Sequence, residues 1–212
     1  MKIKIDAIIK KLKKQDPSLA DLFKRHKKFD FTPQLERSPY HSLVRAIAHQ
    51  QLHGKAAETI LNRMIQLFPG KEFPTPEDLV SLTHDQFRLC GFSNNKAKAI
   101  MDIAHRAATG RLPNEKKIHQ MSNDEIIETL TDIYGVGRWT VEMLLIFQLG
   151  RLDIFPVDDF GVRRGYQIWK KKRKMPDAKS LKNADKLWAP YQSIVALYLW
   201  READLAKIKT PS

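Results

Sequence analysis

The stretch TDIYGVGRWTVEMLLIFQLGRLDIFPVDD, residues 131–159, decides how the chain is read. It opens on a glycine turn, Gly135-Val136-Gly137. It then runs through the apolar side chains of Val141, Leu144, Leu145, Ile146, Phe147 and Leu149, and closes on two adjacent carboxylates, Asp158 and Asp159. Glycines ahead of a helix let backbone N–H groups come close to an anion, and the helix dipole favours negative charge at that end. A carboxylate held near such a phosphate site can act on the sugar attached to it. The stretch is a candidate site for chemistry on a nucleic acid.

Upstream, Ser122 and Glu125 have the S-x-x-E spacing of a capping box, opening a helix through Ile126, Ile127 and Leu130. Helix, h-G-h-G turn and second apolar helix make a helix–hairpin–helix over residues 126–147, whose turn would offer N–H groups of Gly135 and Gly137 to one phosphate. Cys90-Gly91-Phe92 stands between two helices as a weak echo without the second glycine. Ser38-Pro39 starts a helix through Leu43, Val44, Ile47 and Ala48, whose apolar pattern breaks at His49-Gln50-Gln51-Leu52-His53. Thr75, Thr83 and Ser93 cap further helices. An amphipathic basic helix through Ile5, Ile8, Ile9 and Leu12 leads the chain, followed by one over residues 18–27. After Asp159, a helix through Val162 and Tyr166 ends in KKKRK, residues 170–174. A short helix is expected over residues 183–188, and a last one through Ile194, Leu197, Tyr198 and Trp200. No useful strand alternation is present. The fold class is all-α, about ten helices with short connections.

At 212 residues the chain fits one domain or two small lobes. Its 37 Lys and Arg against 24 Asp and Glu leave a formal charge of +13, which points to a polyanionic partner. The lone Cys90 excludes an internal disulfide and any four-cysteine cluster. The opening residues lack the apolar core of a secretory signal, and no run approaches the roughly 18 apolar residues of a membrane span. A soluble, intracellular protein with no membrane partner is expected.

Three motifs occur in order: LVRAIAHQQLHGKAA at 43–57, GVGRWT at 135–140 and PVDD at 156–159. Together they resemble the helix–hairpin–helix superfamily of DNA glycosylases, in its 3-methyladenine DNA glycosylase II (alkylpurine) branch, over residues 39–200. The resemblance implies two helical lobes with a central cleft, one of residues 39–150 and the other of 1–38 plus 151–212. It implies a monofunctional enzyme that releases the base with water. Where bifunctional relatives carry a lysine, this chain has Trp139, which has no amine to form a Schiff base. By the same resemblance Asp159 is the catalytic acid, and its neighbour Asp158 supports the helix start. Trp139 and Trp200 match base-pocket positions. Gln51, Leu52 and His53 match a minor-groove wedge that fills the gap left by a flipped base. Gly135, Val136 and Gly137 form the phosphate-binding hairpin. No cofactor is required, although the carbonyls of Thr131, Ile133 and Val136 would suit a structural Na+ or K+. The partner implied is double-stranded DNA with damaged bases, bound by a monomer located with the DNA.

Plainer readings stand beside these. Leu52 also reads as a helix-end core residue and Trp139 as a core residue, and His49 and His53 at i, i+4 have the spacing of zinc ligands without a third partner. The run at 170–174 reads equally as a solvated helix end, a phosphate contact or a localisation signal. Two rival functions share the fold: a non-catalytic recogniser of abasic or distorted DNA, and a glycosylase for oxidised or mismatched bases.

Overall fold

The computed structural model describes residues 3–26 and 29–209; the part of the helix expected over 18–27 that falls on Lys27 lies outside them. Among the described residues there are thirteen α-helices and one isolated antiparallel bridge, Ile3 to Phe31. The chain divides into a terminal unit, residues 1–34 and 145–212, and a central unit, residues 35–144.

The terminal unit begins with α1 (Ile5–Gln15) and α2 (Leu19–Arg25). The central unit then contains α3 (Pro39–His49), α4 (Gly54–Ile65), α5 (Pro76–Val80), α6 (His84–Cys90), α7 (Asn94–Ala108), α8 (Glu115–Gln120), α9 (Asn123–Thr131) and α10 (Arg138–Met143). Side chains stop the unravelling of their first turns. Ser38 accepts from His41 N with Pro39 at the first helical position, and Thr75, Thr83 and Ser122 close capping boxes with Asp78, Gln86 and Glu125. Each such cap satisfies donors that a helix start leaves open, at about 1 kcal/mol per cap. Leu43, Ile47, Leu61, Met64, Phe87, Phe92, Ile100 and Ile103 are fully buried and form this unit's core. Helix α7 runs through it, packed on α3, α5 and α6.

Beyond α10 the helix loosens into a π-helical segment, Leu144–Gln148, where the chain re-enters the terminal unit. The units therefore part within a helical run at 144 rather than at the glycine of position 150, where the lobe boundary is expected. There follow α11 (Phe160–Trp169), α12 (Ala178–Asp185) with a 3-10 turn at Lys186–Trp188, and α13 (Gln192–Lys209). The helix expected over 183–188 starts earlier, because Asp177 caps it by accepting from Ser180 N, and it tightens at its end. Helix α8 has no counterpart among the expected elements; Asn114 caps it through Lys117 N, and Ile118 alone is buried from it. Ile194, Val195, Ala196, Tyr198 and Leu199 are all buried, so the first half of α13 is apolar nearly all round and packs at the centre of its unit.

Candidate active site

In the terminal unit, the loop that carries the paired carboxylates is fixed to α13 at two points. Ser193, fully buried, accepts from Ile154 N at 3.0 Å through its hydroxyl, and its backbone N–H donates to Leu152 O at 2.8 Å. Two turns further along α13, Trp200 Nε1 donates to Asp159 Oδ1 at 2.7 Å. The same oxygen accepts from Val162 N at 2.8 Å, which makes Asp159 the N-cap of α11. The expectation that Asp158 supports the helix start is thus corrected. Asp158 is exposed and Asp159 only 9% exposed, because the turn from Pro156 O to Asp159 N directs the second carboxylate inward. A negative charge at Asp159 meets two donors and the positive end of a helix.

Two glycines permit this arrangement. A Cβ on Gly161 would lie 2.7 Å from Trp200 Cδ1 and 3.1 Å from Asp159 Oδ1, so the indole reaches the carboxylate only over a bare backbone. A Cβ on Gly165 would lie 1.9 Å from the Leu199 carbonyl oxygen, so α11 and α13 touch backbone to backbone. Spaced four apart, both glycines face α13. Sequence reasoning missed Gly161 and Gly165, whose i, i+4 spacing was the available signal. Trp200 also lies at 5.6 Å, tilted 33°, from the ring of Phe147 in the π-helical segment.

In the central unit, the hairpin joins α9 to α10. Gly135 adopts φ +75, and a Cβ there would meet Ala99 Cβ at 2.9 Å, so this glycine is required by both conformation and space. Gly137 differs: it is the N-cap of α10 with φ −89, and a Cβ on it would meet nothing within 4 Å. Its bareness leaves the approach to the helix start open. No side chain caps α10, so its first-turn N–H groups have no local acceptor of that kind.

The loop after α3 lies against this hairpin. Gln50 Nε2 donates to Gly135 O at 3.3 Å and to Thr140 Oγ1 at 3.2 Å. Gln51 has φ +55, an unusual conformation for a residue with a side chain. Leu52 is 39% exposed, which removes the core-packing reading, and His53 is exposed beside it as the backbone N-cap of α4. Trp139 is 47% exposed and likewise no core residue. It shares with Ala46, Gln50, Gln51, Thr140 and Met143 a cavity of about 550 Å3. His49 Nε2 lies 2.9 Å from Glu58 Oε1, a carboxylate also paired with Arg45, and among the described residues no group of three or more His, Cys, Asp or Glu is placed to hold a metal ion. Trp139 belongs to the central unit and Trp200 to the terminal one.

The sequence profile of the HhH-GPD superfamily base excision DNA repair proteins matches residues 44–190. DNA-3-methyladenine glycosylase 1 of Schizosaccharomyces pombe is 40% identical over 176 residues, covering 83% of this chain and 77% of that protein. Among solved structures, S. pombe 3-methyladenine DNA glycosylase (Mag1) in complex with abasic DNA superposes with a TM-score of 0.80 at 37% identity, covering 92% of this chain and 98% of that one. A Bacillus halodurans DNA-3-methyladenine glycosidase gives a TM-score of 0.86 at 31% identity, covering 99% and 95%. With a matched helix–hairpin–helix, a capped aspartate following it in sequence and relatives aligned along most of their length, the chain belongs to the HhH-GPD superfamily of base excision DNA repair proteins.

Proposed function

We propose that this protein is a DNA glycosylase that releases alkylated purines, of the 3-methyladenine and 7-methylguanine type, from double-stranded DNA in base excision repair. The observation that carries the reading is the Asp159 carboxylate, buried at the start of α11 and held by Val162 N and Trp200 Nε1. An alkylated purine is cationic and leaves readily. As its N-glycosidic bond breaks, the electron pair goes with the base and positive charge develops on the sugar, where a fixed carboxylate stabilises it. Water then adds to the sugar carbon and gives up a proton, for which Asp159 is the nearby base. Trp139 and Trp200 offer aromatic faces to a cationic base, worth about 0.5–2 kcal/mol each. Gly135, Val136 and Gly137 hold a phosphate, and Gln51, Leu52 and His53 occupy the gap left by the extruded base.

The enzyme acts with water alone and has no lyase step, since Trp139 supplies no amine. It works as a monomer, where the DNA is, and needs no cofactor. A Na+ or K+ at the hairpin would be held by the carbonyls of Thr131, Ile133 and Val136, neutral oxygens of the kind that suit such ions. The Ile133 carbonyl already accepts from Val136 N at 3.1 Å, so its second lone pair would face such an ion. In a single-turnover assay, duplexes carrying 7-methylguanine or 3-methyladenine should lose the base and retain an intact strand. Borohydride should trap no covalent complex; an efficiently trapped adduct overturns the hydrolytic assignment. Tight binding without base release would favour recognition of abasic or distorted DNA instead.

A further inference from the structure

One helix of the central unit holds both the wedge loop and the hairpin. Along α7, Asn95, Ala99, Asp102 and Arg106 follow at i, i+4, i+7 and i+11, one face of the helix. All four meet the hairpin. Asn95 Oδ1 accepts from Tyr134 Oη at 3.3 Å, Ala99 abuts Gly135, and Asp102 Oδ2 accepts from Tyr134 N at 2.9 Å. Arg106 donates to Asp132 Oδ2 at 2.7 Å and to its carbonyl at 3.0 Å, while also binding Asp102. Beside this face, Lys96 turns the other way. Its Nζ donates to Ala48 O at 2.9 Å and to Gln50 O at 2.6 Å, the carbonyls at the end of α3.

Those carbonyls are what a helix leaves unpaired at its C-terminus, and an ammonium there meets both lone pairs and the negative end of the dipole. The loop residue that follows, Gln51, has φ +55, a conformation that persists only when its surroundings hold it. Gln50 closes the circuit by bridging to the hairpin through Gly135 O. We propose that Lys96 is a positioning residue for base extrusion: it clamps the wedge loop to the helix that braces the phosphate hairpin, so that gripping the backbone and inserting Leu52 act as one rigid event. Without the clamp, the hairpin still grips DNA, but the loop yields instead of pushing.

This inference rests on the glycosylase reading, and its test separates the two. The full-length chain is compared with Lys96→Met and Lys96→Arg on duplexes carrying 7-methylguanine in a stable pair or in an unpaired bubble. A fluorescent 2-aminopurine beside the lesion reports unstacking independently of base release. Lys96→Met should lose about tenfold in excision and in unstacking on the paired substrate, the scale of a charged hydrogen bond. It should match the unaltered protein on the bubble and in affinity for undamaged duplex, and Lys96→Arg should recover part of the loss. Equal losses on both substrates, or none, overturn the proposal. If Lys96→Met does not fold, Lys96→Gln is judged by the same ratio. Absence of any base release with normal unstacking would instead defeat the catalytic reading and leave the clamp standing.

Discussion

The two units of this protein differ completely in charge. The terminal unit has 24 Lys and Arg against 11 Asp and Glu, which accounts for all of the chain's +13, while the central unit has 13 against 13 and is neutral. Yet the neutral unit carries the glycine hairpin and the loop after α3, to which the proposed function gives the phosphate grip and the wedge, the tasks that require close geometry. On the proposed function, attraction and positioning are separate tasks. Long-range attraction to a polyanion scales with summed charge and needs no fixed partners. A hairpin needs only a few aimed N–H groups, and surplus cations around it would add attraction without register.

The largest expected effect lies in the basic unit. Asp159→Asn keeps an oxygen able to accept from Val162 N and Trp200 Nε1, so the cap and fold should survive. Single-turnover excision of 7-methylguanine should nonetheless fall by about a hundredfold or more, as when an aimed electrostatic group is removed. Asp158→Asn, at an exposed position, should leave the rate near that of the unaltered protein, with circular dichroism confirming folding of both. If Asp158→Asn is the inactive variant, the acid is misplaced by one residue.

Next comes the charge division itself. Replacing Lys171, Lys172, Arg173 and Lys174 by Gln should flatten the salt dependence of binding to undamaged duplex, by about 0.9 in log–log slope for each phosphate no longer neutralised. The same number of replacements in the neutral unit, at the exposed Lys98, Arg111, Lys116 and Lys117, should change the slope less. Equal changes would erase the distinction between the units. Within the neutral unit, Gly135→Ala should destabilise the fold by about 1–2 kcal/mol in a denaturant titration, because φ +75 is costly for a residue with a Cβ. Gly137→Ala should unfold like the unaltered protein and weaken duplex binding instead.

The smallest effect tests whether a neutral unit is locally neutral. His41 is stacked 3.7 Å from the Phe73 ring, and burial, with Arg37 and Arg45 nearby, lowers its pKa to about 4. Its ring should stay unprotonated in an NMR titration down to that value. Since the folded pKa is below the unfolded one, the associated stability is present above about pH 6.5 and is lost as the pH falls towards 4. A titration near 6.5 would mean that the stack does not shield the ring.

Much of the fold was legible because the signals are local. Ser122 with Glu125, Thr75, Thr83 and Ser38-Pro39 each announce a helix start within four residues, and the apolar periodicity fills in between. Helix α8 escaped because it buries one side chain, Ile118, too few for a period to register. The site was legible as residue types and not as spatial pairings. Trp200 lies 41 residues from Asp159 and Lys96 lies 46 from Gln50, and no spacing rule joins such pairs. Asp158 and Asp159 were indistinguishable by type; the turn from Pro156 decides which one is buried.

The glycines that bring α11 against α13 bear on how the unit folds. Two glycines in a ten-residue helix each cost about 1 kcal/mol relative to alanine, and so short a segment is already marginal alone. Helix α11 should therefore have little existence apart from α13. Its amide hydrogens should exchange with solvent in step with those of α13, through one shared opening rather than by fraying independently. The carboxylate at its start would then appear and vanish as a unit with the docked helix pair: the acid is assembled by docking, and a partly opened form of this protein has no weakened version of it.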